Sequence, residues 1–266
     1  MKVWAVANQK GGVGKTTTAI TLGGTLSMRG KRVLLVDLDP HGSMTSYFGY
    51  DPDELEPTVY DLFHKTASPE QVIIETKFPN LSFLPASSAM ATLDRQLGTN
   101  GGMGLVIKNA LQSISDKYDY AVIDCPPVLG LLMVNALASC DHLLVPVQTE
   151  FLAAKGLERM VNTLNMIIKA RKQQISYSIV PTFFDQRLRA STDTLKQLRE
   201  TYQDKIWSGV IPIDTLFREA SRRGVPLSIA RPSSRGCRAY SHLLDYLIDG
   251  SESDKVNSAD VVNPNE

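Results

Sequence analysis

Apolar residues come in short unbroken runs separated by polar, glycine-rich or amphipathic stretches. Val3–Ala7 is such a run, stopped at Asn8, and predicts a strand buried on both faces. A glycine-rich stretch follows. Thr16–Met28 then spaces Ala19, Ile20, Leu22 and Leu26 near the helical period, with Gly30 as a stop. Arg32–Val36 is a second continuous strand, ending at Asp37. The pattern repeats downstream. Leu81–Leu84, Tyr120–Ile123, His142–Val147, Ser178–Pro181 and Ile206–Ile211 read as strands. Gly104–Ile114, Ala153–Lys172, Thr192–Tyr202 and Gly236–Ile248 read as helices. The long helix carries Leu157, Met160, Val161, Leu164, Ile167 and Ile168 on one face. Alternating strands and helices predict a single-domain α/β fold with a mostly parallel, twisted sheet covered on both faces. Ligands of such sheets lie at the carboxyl ends of the strands. Asn8, Asp37 and Asp124 fall there.

Composition alters this picture little. Of 266 residues, 43% are hydrophobic and 21% charged, which suits one large core, and the domain is expected to span 1–250. The formal net charge is zero, so overall charge favours neither nucleic acid nor lipid. Its distribution is uneven. Residues 187–238 hold eleven Lys/Arg against five Asp/Glu, and 251–266 hold one Lys against four acids. The final stretch, SESDKVNSADVVNPNE, has little to bury and reads as an acidic, disordered tail. Three cysteines without C-x-x-C spacing argue against a disulfide framework or zinc site and fit a reducing cytoplasm. No run approaches a membrane span, and no signal peptide is evident.

The chemistry starts at QKGGVGKTT, residues 9–17. Gly11, Gly12 and Gly14 allow backbone N–H groups to turn in around phosphate oxygens, and the helix that follows adds its positive end. Lys15 can reach the β- and γ-phosphates, and the Thr16 hydroxyl suits Mg²⁺. The usual G-x-x-x-x-G-K-[ST] pattern is broken, because Gln9 stands where its first glycine belongs and a second lysine, Lys10, sits beside it. G-x-G-x-x-G is absent from this loop, which disfavours a dinucleotide fold. Asp124, ending an apolar strand, is suited to a magnesium water shell. In VDLDPHGS, Asp37 and Asp39 lie just past a strand, where a carboxylate can orient an attacking water.

QKGGVGKTTTA resembles the deviant Walker A of the ParA/MinD group of P-loop ATPases. RVLLVDLDPHGSMTSYFG resembles the group's second motif, with His41 in place of the usual Gln, and YAVIDCPP resembles its third. The likeness runs from Val3 to about Leu247. It implies a homodimer that sandwiches two ATP, with Lys10 reaching the partner's phosphates and Lys15 acting in cis. It also implies nucleotide contacts from Gly11, Gly12, Val13, Gly14, Lys15, Thr16 and Thr17. Magnesium would be served by Thr16, Asp37 and Asp124, and Asp39 would orient the water. The adenine site would lie near PTFFD (181–185) and IPID (211–214), with Pro212 a contact.

Within the group, the acidic tail lacks the amphipathic membrane helix of MinD-type proteins. The cysteines do not match an iron–sulfur relative. FREASRRGVP aligns with a segment that carries DNA-binding residues in ParA-type proteins, and Leu216 stands where some relatives have Arg. Arg218, Arg222, Arg223, Arg231, Arg235 and Arg238 are candidate contacts for non-specific DNA. VQTEFLAAKGLERMVNTLNMI resembles the ParC-type ATPases of chemotaxis gene clusters, which implies a ParP-type adaptor, a polar hub and concentration at the cell pole. The rival expectations are plasmid or chromosome partitioning on the nucleoid, and an ATP-dependent amidation or carboxylation enzyme of the same superfamily.

Overall fold

The computed structural model describes the backbone of residues 1–96, 103–171 and 175–259, and side chains outside 94–96, 154, 167–171 and 250–259. Seven strands form one sheet: β1 (Lys2–Val6), β2 (Val33–Asp37), β3 (Ile74–Glu75), β4 (Leu81–Leu84), β5 (Tyr120–Asp124), β6 (His142–Gln148) and β7 (Ser176–Thr182). Their spatial order is β3-β4-β2-β5-β1-β6-β7, and only β3 runs antiparallel. Every residue of β2 and β5 is buried, which is why these strands read as unbroken apolar runs.

Successive side chains leave a strand on opposite faces. Val3 and Ala5 enter one core, and Trp4 and Val6 the other. The first core is closed by α3 (Val59–His64), α5 (Val106–Ser113), α6 (Leu131–Ser139) and α7 (Phe151–Arg171). The second is closed by α1 (Lys15–Met28), α2 (Ser43–Tyr47) and α11 (Arg235–Ala259). The remaining α-helices among the described residues are α4 (Pro69–Val72), α8 (Arg189–Tyr202), α9 (Leu216–Arg223) and α10 (Leu227–Ala230). From β1 the chain moves toward β2 on one side, whereas β6 lies on the other. The winding therefore reverses at the carboxyl end of β1, where a binding crevice opens.

Ile206–Ile211 is not a strand. It touches β7 through single backbone bonds, Trp207 N–H to Ile179 O at 2.9 Å and Ile211 N–H to Pro181 O at 2.8 Å. Pro212 has no N–H with which to continue a ladder. Helices α7 and α8 begin earlier than periodicity suggests, at Phe151 and Arg189. Helix α11 runs on to Ala259, past the boundary read at residue 250, because extending a formed helix avoids the cost of nucleation. Residues 260–266 of the expected tail, and the Ile167 and Ile168 side chains, lie outside the described residues.

Candidate functional site

Residues 7–14 join β1 to α1 and are tied down by β6, β7 and a contact within the loop. Asn8 Nδ2 donates to Pro146 O at 2.7 Å, and Lys10 N–H donates to Asn8 Oδ1 at 2.9 Å. Gln148 Nε2 donates to Gly12 O at 2.9 Å, and Thr182 Oγ1 donates to Val13 O at 3.0 Å. The strands on one side of β1 thus fix the loop's backbone. Gly12 and Gly14 take φ of 73° and 93°, left-handed values that other residues adopt at a cost. Gly14 caps α1, and its carbonyl accepts Thr18 N–H at 2.9 Å. Val13 is fully buried and is not among the residues lining the cavities over this loop.

Two adjoining cavities open over this loop. One, of about 490 Å³, is lined by Gly11, Gly12, Gly14, Lys15, Thr16, Thr17, Asp39 and His41. The other, of about 870 Å³, runs from Gly12, Gly14 and Thr17 to Thr182, Phe183, Pro212, Asp214 and Tyr240. Phe183 lines both and is held at φ 53°, an uncommon backbone state for an aromatic residue. Thr182 and Phe184 on either side are pinned by hydrogen bonds, to Val13 O and Ile211 O respectively, which hold it there.

Beneath the smaller cavity the sheet register sets Asp37 directly opposite Asp124. Thr16 Oγ1 donates to Asp124 Oδ2 at 2.5 Å, while Asp124 Oδ1 is buried without a partner among the described residues. Burial, and then the facing Asp37, push the Asp124 carboxyl well above the usual carboxylate range. Burial raises Asp37 to about 6 against the pull of its hydrogen bonds. Thr45 N–H and Thr45 Oγ1 donate to Asp37 Oδ2 at 2.9 and 2.8 Å, and Asp39 N–H donates to Oδ1 at 3.2 Å. Asp37 therefore anchors the 39–45 turn that carries Asp39 and His41 to the cavity rim.

Magnesium retains several waters and needs few direct protein ligands. Among the described residues no three His, Cys, Asp or Glu side chains converge as a metal cage. A threonine hydroxyl beside a buried carboxylate with an unpaired oxygen fits such an ion, with Asp124 reaching the ion's waters.

The structure separates the two lysines. Lys15 is buried and lines the smaller cavity. Lys10 lies outside that lining. Its Nζ donates to Gln148 Oε1 at 3.1 Å and forms an ion pair with Glu150. Of the arginines, Arg218 edges the larger cavity, and Arg235 donates to Ile213 O at 2.5 Å. Arg222 and Arg223 are exposed, with Glu219 paired to Arg223. Gln148, Glu150 and Tyr240 were not among the predicted site residues, and Phe183 was included only within the segment 181–185. Gln148 ends strand β6, so the strand-end rule that selected Asp37 and Asp124 could have found it.

The chain matches the AAA domain family over residues 1–177. It is 37% identical to the sporulation initiation inhibitor protein Soj of Bacillus subtilis, across 91% of this chain and 96% of the relative. It is 33% identical to the chromosome partitioning protein ParA of Caulobacter vibrioides, across 97% and 98%. Its structure is similar to that of cobyrinic acid a,c-diamide synthase from Mycobacterium smegmatis with bound ADP and magnesium. The TM-score is 0.83 at 32% identity, covering 95% of this chain and 96% of that one.

Proposed function

The chain belongs to the ParA/Soj family of P-loop ATPases, and from that premise we propose that it is an ATP-dependent dimerising switch that positions an intracellular cargo. The observation that carries this reading is the division between the lysines. Lys15 faces the cis phosphate cavity, and Lys10 stands on the outer edge of the loop, where a second subunit can receive it. A cation supplied in trans makes association depend on nucleotide, as an arginine finger does.

The joined cavities would hold ATP, with Pro212 serving the base and Gly11–Thr17 the phosphates. Thr16 and Asp124 would hold Mg²⁺, which would supply charge neutralisation at the phosphates. Lys15 would hold the phosphates, and Asp39 would orient the attacking water. The cargo to which the sequence resemblance points is a polar chemotaxis array, reached through a ParP-type adaptor. Partitioning of DNA is a second reading, favoured by the similarity to Soj and ParA and by the exposed Arg222 and Arg223. Among the described residues no helix is long and apolar enough to cross a membrane.

Light scattering with Mg²⁺ and ATP tests the proposal. Wild type dimerises, Lys10→Ala binds ATP and stays monomeric, and Asp39→Ala dimerises and persists as a dimer. A dimeric Lys10→Ala, or an Asp39→Ala that hydrolyses normally, refutes it. ATP turnover that requires a carboxylate co-substrate would instead identify an amidation or carboxylation enzyme.

A further inference from the structure

We propose that His41 is a positioning residue for the Asp39 carboxylate in ATP hydrolysis; this rests on the reading of Asp39 as the group that orients the attacking water. The backbone around Asp39 is fixed. Its N–H donates to Asp37 Oδ1 at 3.2 Å, its carbonyl accepts Gly42 N–H at 2.8 Å, and Leu38 N–H donates to Asp124 O at 2.9 Å. A fixed backbone still leaves the carboxylate free to turn about its own axis. His41 removes that freedom. Its backbone N–H donates to Asp39 Oδ1 at 3.1 Å, and its ring Nδ1 lies 2.8 Å from the same oxygen.

An ionised carboxylate only accepts, so the ring proton must sit on Nδ1. Two donors on one oxygen set the plane of the group. Oδ2, which accepts no hydrogen bond among the described residues, is left for the water. The Asp39 side chain is 12% exposed and the His41 side chain 79%, so the imidazole acts from the outer rim while the carboxylate stays inside. Both residues line the cavity that holds Lys15 and Thr16. Among the described residues the hydrogen-bond partner of the imidazole is Asp39, so its effect on the reaction passes through Asp39.

The test is unstimulated steady-state phosphate release with Mg²⁺ and varied ATP. His41→Ala keeps the backbone donor and loses the ring donor, so kcat falls about three- to tenfold, the scale of one hydrogen bond to a charged group. KM for ATP stays within about twofold, because the phosphate cradle is untouched. His41→Gln and His41→Asn, which carry an amide N–H, restore turnover. His41→Phe, which fills the space without a donor, does not. In an Asp39→Ala background, His41→Ala has no further effect. Unchanged kcat in His41→Ala, wild-type turnover in His41→Phe, or failure of both amide variants overturns the inference. If Asp39→Ala is inactive and His41→Ala is not, this inference fails alone. If Asp39→Ala turns over normally, the reading of Asp39 fails and takes the inference with it.

Discussion

Replacing Asp124 by Asn should make the nucleotide-free protein more stable while destroying its response to magnesium. Thr16 Oγ1 donates to Oδ2, and an Asn carbonyl can accept that bond unchanged. The NH₂ group then takes the place of Oδ1, the oxygen that has no partner among the described residues. What disappears is a buried charge facing Asp37. A buried polar group without a partner costs about 1–3 kcal/mol, and more when it is charged, so exchanging the charged group for a neutral one should gain about 1 kcal/mol. For a chain of this size that is roughly 2–4 °C in Tm.

The sign with pH follows from linkage. The folded protein raises the Asp124 pKa, so the unfolded chain gives up its proton first as pH rises. Wild-type stability from this group is lost above the ordinary carboxylate value and falls until the folded pKa is passed. The gap between variant and wild type should therefore widen from acid to alkaline pH. With Mg²⁺ and ATP at a hundred times Kd, wild type gains about 2.7 kcal/mol and the variant much less, so the order reverses. Differential scanning calorimetry of apo and loaded protein between pH 5 and 8.5 reads all of this. An apo variant less stable than wild type at pH 8, or an equal nucleotide shift in both, would refute the reasoning.

Lys15→Ala should lose ATP affinity by about 2–5 kcal/mol, measured by titration calorimetry; affinity within a few-fold of wild type would mean that Lys15 does not hold the phosphates. Glu150→Ala removes the exposed ion pair of Lys10, worth up to about 1 kcal/mol in each of the two subunits, so ATP-dependent dimerisation should need up to about 25-fold less protein by sedimentation. A higher requirement would show that Glu150 serves the dimer rather than restraining the monomer. Gly224→Ala should cost about 1–3 kcal/mol in urea unfolding, because Gly224 has φ 61° and a methyl there would lie 2.8 Å from Tyr47 O. An unchanged unfolding midpoint would mean that the contact between α2 and α9 yields freely.

The first β-α-β unit was legible because parallel strands buried on both faces leave continuous apolar runs, and the loop glycines mark the turn between strand and helix. Strand ends pointed to Asp37 and Asp124, but not to their pairing, which depends on β5 entering between β1 and β2. The partners of Lys10 were invisible for the same reason, lying 138 and 140 residues along the chain. Ile206–Ile211 misled because an apolar stretch pressed against a sheet edge has the composition of a strand without its ladder. Helix α9 was hidden by its charge: FREASRR reads as a solvated basic segment, and only Ala220 on it is buried.

Helix α9 is wall and surface at once. Phe217, Arg218 and Ser221 border the larger cavity, while Arg222 and Arg223 face outward. Its far end is joined to the turn behind Asp39 through Tyr47 OH, which donates to Val225 O at 2.9 Å. A ligand that shifts this helix from either side therefore changes the other side's affinity, and thermodynamic reciprocity makes the two factors equal. If a nucleotide lies against the inner side of this helix and a partner against the outer arginines, each would change how tightly the other is held, by one shared factor and without touching it.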